Sequence, residues 1–525
     1  MTATAPIAPG RAERRLKVTG TLHTASPVHV GGLAARPGVD LDLAVDGAGN
    51  PTVPGDSLAG ALRGWHALTF GDEAAARLWG PLARRGAQPA ASPVMIDDVS
   101  LPPDVLTELR DGIGIDRAAG TAVPGIKFVR AVLAVGTPLT VELTIDVAEG
   151  QQQDLLAELA TLQGALQGQR VRIGAAKTRG LGRVGLDGDF EVDDNLLTSR
   201  AGMVAYLRHR HSRISLPEPA PASVATPAVE AELRWRPAGA LMVRAAVTGL
   251  AADSLPLVGT GTDRRLHLLL PGSSIKGALR SCAEQIVRTV RDAPAPAGPR
   301  PDARFRRVLS QHDLIAELFG TAAHRDGPAA EIVASKQGAV FVEECIADRS
   351  LDPDEWRELH HASPSRARQA LADLGLTLDR PEAPGPAGEH AELADHVAID
   401  RFTGGAAAQR LFTVLEPHGF AWSPMRLRLE LRRIRDEVQE AALGLLAVVL
   451  DSVAAGQVPF GFATTRGFGD VVVEQTHLLG EDLEDSALTP GAWRSSDLDE
   501  FMDHFRASLR GAWQTWIDNP PGNNS

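Results

Sequence analysis

The chain has 525 residues and 44% hydrophobic content, enough for two to four domains with sizeable cores. Its net charge of −13 argues against a protein that coats nucleic acid with its whole surface. We expect a cytoplasmic protein without a membrane span or signal peptide, because no apolar run is long enough and Cys282 and Cys345 lack CxxC spacing.

The first predicted element is a strand over 15–23, and a helix follows Pro54-Gly55 in "SLAGALRGWHAL". A short apolar strand in "SPVMIDDV" and a longer extended section in "VLAVGTPLTVELTID" come next. Leucines at helical spacing over 155–162 predict a second helix, and the glycine-rich "KTRGLGRV" leads into a last strand. The order is βαββαβ, which is the ferredoxin-like arrangement.

The same order of motifs occurs a second time. "VPGDSLAGALRG" matches "LPGSSIKGALRS", "RLWG" matches "ELFG", "GIGIDRAAG" matches "HVAIDRFTG", and "IGAAKTRGLGRV" matches "FGFATTRGFGDV". We place the first strand of the second copy at 241–249, "LMVRAAVTG". Internal repetition of this kind predicts two structural units of the same type.

We therefore predict an α+β protein with two tandem ferredoxin-like (RRM-like) domains, over 14–215 and 231–477. A Pro-rich linker over 216–230 joins them. Extra length in the second copy predicts insertions near 283–311 and 346–395. The remaining residues, 478–525, are predicted to be an acidic segment with a helix and a disordered tail.

The glycine-rich turn raises the question of a nucleotide cofactor. Gly180, Gly182 and Gly185 have the spacing of a dinucleotide-binding fingerprint, but the second copy has only Gly467 and Gly469. A β-branched strand follows both turns, whereas a dinucleotide site requires a helix there. The sequence thus argues against a nucleotide site, and the histidines show no zinc-site spacing.

Together the motifs PG(S/D)S(L/I)xGxxR, IDRxxG and RGxG resemble the RAMP superfamily of CRISPR proteins, and more narrowly the backbone subunit of type III interference complexes. The resemblance implies ferredoxin-like bodies with a protruding thumb hairpin, here as a fused two-copy subunit. It also implies guide RNA (crRNA), complementary target RNA and other subunits of the complex as partners. Cleavage of the target RNA with a divalent metal, such as Mg²⁺, is the implied activity.

The family's target-cleaving residue is an aspartate in the loop after the first strand. The resemblance assigns this role to Asp40, with Asp42 as the rival, and to Asp253 in the second copy. The second loop is longer before its Pro-Gly, and it lacks the Gly-Gly of the first, which leaves cleavage by the second copy open. We interpret Asp46 and Asp263 as acids of hairpin turns.

Candidate RNA-binding residues lie in the turns, in the Pro-Gly helices and where the thumb of the family begins. They are Ser57, Arg63, Arg117, Lys177, Arg179, Arg183, Ser273, Ser274, Lys276, Arg280, Arg401 and Arg466. Simple helix capping is the alternative for the serines, and a local ion pair bracing a loop is the alternative for Asp116-Arg117 and Asp400-Arg401.

Three functions remain open at this point. The chain is either a guide-bound ribonuclease or a non-catalytic scaffold with the same RNA groove. A weaker alternative is a nuclease that processes the guide precursor, for which only His23 and His29 are suitably placed.

Overall fold

A computed structural model describes most of the chain. The described residues are 12–32, 36–81, 91–210, 212–218, 228–295, 302, 304, 305, 308, 313–322, 335–377, 388–481 and 511–518. Among them, no helix is long and apolar enough to cross a membrane. The described part of the chain contains both helices and antiparallel sheets, so the α+β class is confirmed.

The chain divides into two compact units. Unit 1 comprises Met1–Arg110, Val129–Lys177 and Leu181–Thr226, and unit 2 comprises Asp111–Phe128, Thr178–Gly180 and Pro227–Ser525. Two short segments from the first half of the sequence therefore belong to unit 2. The sequence repeats did not indicate this division.

The elements of the first half follow the predicted order. The strands are β1 Arg14–Thr24, β2 Thr52–Val53, β3 Val94–Ile96, β4 Val99–Ser100, β5 Thr107–Ile115, β6 Ala122–Leu133, β7 Pro138–Val147, β8 Val171–Arg172, β9 Arg183–Leu196 and β10 Ser212–Ile214. The helices are α1 Gly55–Phe70, α2 Asp72–Trp79, α3 Gln152–Gln167 and α4 Arg200–Leu207.

The main sheet of unit 1 has the order β10-β9-β1-β7-β3, with antiparallel neighbours. Leu16 and Val18 of β1 are fully buried, as expected for alternate residues of a central strand. They belong to one core cluster with Leu58 of α1 and Leu159 of α3, so the helices cover the sheet through apolar side chains. β5 and β6 form a separate two-stranded hairpin, the first hairpin.

The second half repeats this plan. The strands are β11 Ala228–Pro237, β12 Val258–Thr260, β13 Leu266–Leu270, β14 Gly320–Thr321, β15 Lys336–Gln337, β16 Val340–Val342, β17 Cys345–Leu351, β18 His390–Ile399, β19 Ala406–His418, β20 Met425–Glu430 and β21 Val471–Glu481. The helices are α5 Gly272–Val290, α6 Asp313–Phe319, α7 Pro353–His361, α8 Pro364–Asp373 and α9 Gln439–Ala454.

The main sheet of unit 2 has the order β16-β20-β11-β21, again antiparallel. In the βαββαβ order of the repeat, β16, β20, β11 and β21 are the second, third, first and fourth strands. In unit 1 the corresponding strands β3, β7, β1 and β9 are neighbours in the same order. β18 and β19 form the second hairpin, which corresponds to the first.

The predicted first strand of the second copy, 241–249, is wrong. The strand is β11, where buried Ala231, Leu233 and Trp235 alternate with more exposed charged residues. Leu241 and Met242 are buried without joining a sheet ladder, so their hydrophobicity misled the prediction. The predicted linker therefore ends before Ala228, while 219–227 lie outside the described residues.

Other predicted boundaries also shift. The insertion near 283–311 begins inside α5, which continues to Val290, and the insertion near 346–395 contains β17, α7, α8 and the start of β18. At the C-terminus, β21 continues to Glu481 and residues 511–518 are helical, but the other residues of the predicted acidic segment lie outside the described part.

The repeated RGxG motif has a packing explanation. Gly182 and Gly469 have φ angles of 91° and 81°, and a Cβ there would lie 2.2 Å and 1.9 Å from the main-chain oxygens of Ile173 and Phe460. Glycine is required at both positions because the turn folds back onto the main chain that precedes it.

We expect Gly469→Ala to lower the melting temperature of the protein far more than Gly467→Ala. Both residues have a positive φ, which costs an alanine about 1–2 kcal/mol, but only Gly469 also meets a main-chain atom, whereas Gly467 faces open space. Thermal unfolding of the two variants checks this. Equal losses of stability would contradict the packing explanation.

Candidate functional site

Asp40 is held against a strand of the first hairpin. Its N–H donates to the main-chain oxygen of Val129 at 3.0 Å, and the Val129 N–H donates to Asp40 Oδ2 at 2.7 Å. The next residue, Leu41, forms a parallel bridge with Arg130. This reciprocal pair of hydrogen bonds orients an aspartate that remains exposed.

Asp253 of unit 2 is held in the same way. Its N–H donates to the Thr413 oxygen at 2.8 Å, and the Thr413 N–H donates to Asp253 Oδ2 at 2.8 Å. Ser254 and Val414 form the matching parallel bridge. Asp253 is exposed as well, so the longer spacing before the second Pro-Gly leaves the geometry of this loop unchanged.

Asp42 has a different environment. It is only 7% exposed, and its oxygens accept hydrogen bonds from the Arg36 side chain and from the main-chain N–H groups of Arg36 and Leu43. The Arg36 guanidinium is the main cause that lowers the pKa of Asp42 to about 2. Asp42 therefore braces the loop, and Asp40 is the carboxylate that solvent reaches.

Two further aspartates are turn residues, as predicted. Asp46 Oδ1 accepts hydrogen bonds from the N–H groups of Ala48 and Asn50, and Asp263 Oδ1 accepts one from Arg265 N–H. These contacts are those of Asx turns.

The arginines of the Pro-Gly helices have structural partners. Arg63 donates to the Gly80 oxygen at 3.1 Å, and Arg280 donates to the Gly320 oxygen at 2.9 Å. The two glycines close the "RLWG" and "ELFG" motifs, so the contact explains why both motifs recur together. The sequence predicts both arginines as RNA contacts. In the structure, at least one N–H group of each guanidinium donates to a main-chain oxygen of the protein.

Within unit 2, Glu284 is the centre of a buried ion-pair network. It is 2% exposed and binds Arg280 and Arg117, each at 2.7 Å. Asp116 pairs with Arg304 beside it. The alternative of a local brace thus describes Arg117, at the tip of the first hairpin, better than RNA contact does.

A group of cations lies at the start of α5 in unit 2. The α5 start packs closely against the main chain of Arg179, because a Cβ on Gly272 would lie 2.7 Å from the Arg179 oxygen. Lys276 is 5% exposed and donates to the Val340 oxygen at 2.6 Å. Burial, followed by the charges of Arg179, Arg280 and Arg433, lowers the pKa of Lys276 far below its usual value.

Arg179 is the member of this cation group that reaches solvent. Protein atoms nevertheless crowd around it, and this desolvation, followed by the charge of Arg280, lowers the pKa of Arg179. Ser273 is exposed at the α5 start, while Ser274 and its unit 1 counterpart Ser57 are half-buried. An exposed guanidinium beside a helix start is a suitable contact for a phosphate.

The second RGxG turn presents Arg466 differently. Its guanidinium lies over the rings of Phe412 and Phe462, at 5.6 Å and 5.3 Å from their centroids. Phe412 also stacks on His396 at 5.4 Å. Phe412 is half-buried and supports an exposed arginine.

The remaining predicted contacts are spread out. Arg401 is exposed at the tip of the second hairpin, next to the fully exposed Phe402, whereas Lys177 and Arg183 are half-buried in unit 1. The sequence reasoning missed Phe462, although it precedes Arg466 by four residues across a tight turn.

The histidines proposed for guide processing are poorly placed for that role. His29 is 3% exposed, and its Nδ1 bonds to the Ala131 oxygen. Burial is the main cause that lowers the pKa of His29. His23 pairs with Asp187 at 2.7 Å.

Comparison with known families identifies the family of both halves. The family model described as the RAMP superfamily matches residues 21–185 and 257–472, which together cover most of the chain. The first range contains Asp40, and the second begins just after Asp253. A comparison with curated proteins found no significant match.

We expect Asp42→Asn to destabilise unit 1 in a pH-dependent way. The pKa of Asp42 is lower in the folded protein than its ordinary value of 3.8, so its ion pair stabilises the fold above about pH 4, and this contribution is lost as the pH falls towards 2. The full contribution is on the order of 2 kcal/mol. Melting temperatures of wild type and variant should therefore converge between pH 5 and 3; a constant difference would contradict this role.

Proposed function

The chain belongs to the RAMP superfamily of CRISPR-associated RNA-binding proteins, and from this we propose that it is a fused two-copy backbone subunit of a type III effector complex. In this proposal both units are ferredoxin-like, which the shared strand order of the two main sheets supports. Guide RNA, target RNA and the other subunits of the complex are its partners, in the cytoplasm.

We propose further that the subunit cuts target RNA at Asp40 and Asp253. The observation that carries this is the equivalence of the two loops, since each presents one exposed carboxylate oriented by the N–H of a hairpin strand. A turn acid does not require such a contact with a distant strand, 89 residues away for Asp40 and 160 for Asp253.

The chemistry needs little from the protein, because RNA carries its own nucleophile. The 2′-oxygen of the target ribose attacks the adjacent phosphorus, the bond from phosphorus to the 5′-oxygen breaks, and a 2′,3′-cyclic phosphate forms. The aspartate accepts the proton of the 2′-hydroxyl, and the departing 5′-oxygen takes a proton from water.

A divalent metal fits this site only with help from the substrate. No group of three or more histidine, cysteine, aspartate or glutamate side chains suited to a metal is present among the described residues. Mg²⁺ is commonly bound by one or two carboxylates together with substrate phosphates, so Asp40 or Asp253 would hold it with the RNA. When bound, it would neutralise phosphate charge.

The scaffold function is the alternative. A backbone subunit that only binds RNA needs the exposed Arg179 and Arg466 but neither aspartate. Binding and cutting can therefore be tested separately.

We expect Arg179→Ala combined with Arg466→Ala to weaken guide-RNA binding by a similar factor for unrelated guide sequences. Loss of two phosphate contacts on a single strand should make the dependence of log K on log salt concentration shallower by about 1.4. Titrations at several salt concentrations measure both effects. Arg357→Ala, an exposed arginine of α7 paired with Asp354, is the control and should change neither. Unchanged affinity in the folded double variant would show that Arg179 and Arg466 do not bind RNA phosphates.

We expect Asp40→Ala and Asp253→Ala each to abolish one different cut in a labelled complementary target, with binding of guide and target retained. The reason is that each change removes one proton acceptor, while the cations that supply affinity lie elsewhere. Asp46→Ala is the matched control and should cut normally. If both aspartate variants give the wild-type products, the catalytic assignment is wrong; if the wild-type complex makes no such cut, the scaffold function is correct.

A further inference from the structure

The two aspartate loops can be compared residue by residue. Asp40 and Asp253 are 213 residues apart, as are Thr24 and Pro237, which end β1 and β11. Gly31 bridges Leu43 in the first loop, and Arg244 bridges Pro256 in the second, with the same separation. Arg244 therefore occupies in the second loop the position that Gly31 occupies in the first.

Arg244 is exposed, and its guanidinium lies next to Asp253. Nη2 donates to the main-chain oxygen of Asp253 at 3.1 Å, so this contact uses the main chain and not the carboxylate. A guanidinium has five N–H donors. The contact fixes the guanidinium beside Asp253 and leaves further donors for a ligand.

The charges around Asp253 make a cation useful there. Thr413 donates its N–H to Asp253 and its hydroxyl to Asp395 Oδ1, the latter at 2.6 Å. Thr413 thus forms hydrogen bonds with the carboxylates of both Asp253 and Asp395, and both aspartates are exposed. An RNA phosphate approaching Asp253 would be repelled by both, and a positive charge at Arg244 offsets that repulsion.

The inference rests on the proposed function. We propose that Arg244 binds the scissile phosphate at the second aspartate loop and lowers the Mg²⁺ requirement of the cut assigned to Asp253. Arginine suits this role because its charge persists at all working pH values and its planar donors match phosphate oxygens. The first loop, with Gly31, has no side chain at this position.

The test uses the assembled complex, with rates of both cuts measured in one labelled target over a range of Mg²⁺ concentrations. Arg244→Ala should slow the second cut by about tenfold or more, since charged hydrogen bonds carry effects of this size. It should also raise the Mg²⁺ concentration for half-maximal rate, while the first cut serves as the internal control and stays unchanged. Arg244→Lys should restore part of the rate.

Arg244→Gln separates the phosphate role from a structural one. Glutamine keeps an amide that donates hydrogen bonds, on a side chain two bonds shorter, but it carries no charge. We expect it to behave like Arg244→Ala. A wild-type rate and Mg²⁺ dependence for Arg244→Gln would show that the residue only braces the loop, and would overturn the inference.

The remaining outcomes are also decisive. Equal slowing of both cuts by Arg244→Ala would indicate a general defect and overturn the local role. If the wild-type complex makes the first cut but not the second, the proposed role of Asp253 fails, and this inference fails with it. If wild type makes both cuts and every Arg244 variant matches it, only the inference is wrong.

Discussion

Each candidate site depends on a reciprocal pair of hydrogen bonds between an aspartate loop and a hairpin strand. The aspartate N–H and the strand oxygen form one bond, and the strand N–H and the aspartate carboxylate form the other. Such a pair fixes both the main chain and the side chain of the aspartate. Within each site the pair therefore fixes the carboxylate relative to the strand residue that it contacts, Val129 or Thr413.

Burial separates structural charges from those available to a ligand. Arg117, Arg280 and Glu284 form a network of which Glu284 is 2% exposed, and removal of one partner from a buried pair typically costs 3–5 kcal/mol. Asp42 and Arg36 brace the first loop. Arg179, Arg466, Asp40 and Asp253 are exposed, so these residues carry the proposed function.

The sequence predicted the parts of the fold that follow from local patterns. The helices after Pro54 and Pro271 form where proline and glycine favour a helix start, and the RGxG turns form where the close approach to the main chain of Ile173 and Phe460 excludes a side chain. β11 was missed because its alternation of apolar and charged residues is less hydrophobic than the segment 241–249. The main-chain oxygens that accept from Arg63 and Arg280 lie 17 and 40 residues away, so charge alone made these residues resemble RNA contacts. The correspondence of Arg244 with Gly31 could not be predicted from the sequence, because it depends on the β-bridges that define the register of the two loops.

The central claim is that both aspartate loops contact target RNA in the same way. Cross-linking of 4-thiouridine target RNA in the assembled complex, with the modified peptides identified by mass spectrometry, tests it most directly. We expect cross-linked peptides from both loops, the one that contains Asp40 and the one that contains Asp253, at target positions displaced from each other by one structural repeat. Cross-links confined to one loop, or to surfaces that contain neither aspartate, would contradict the claim.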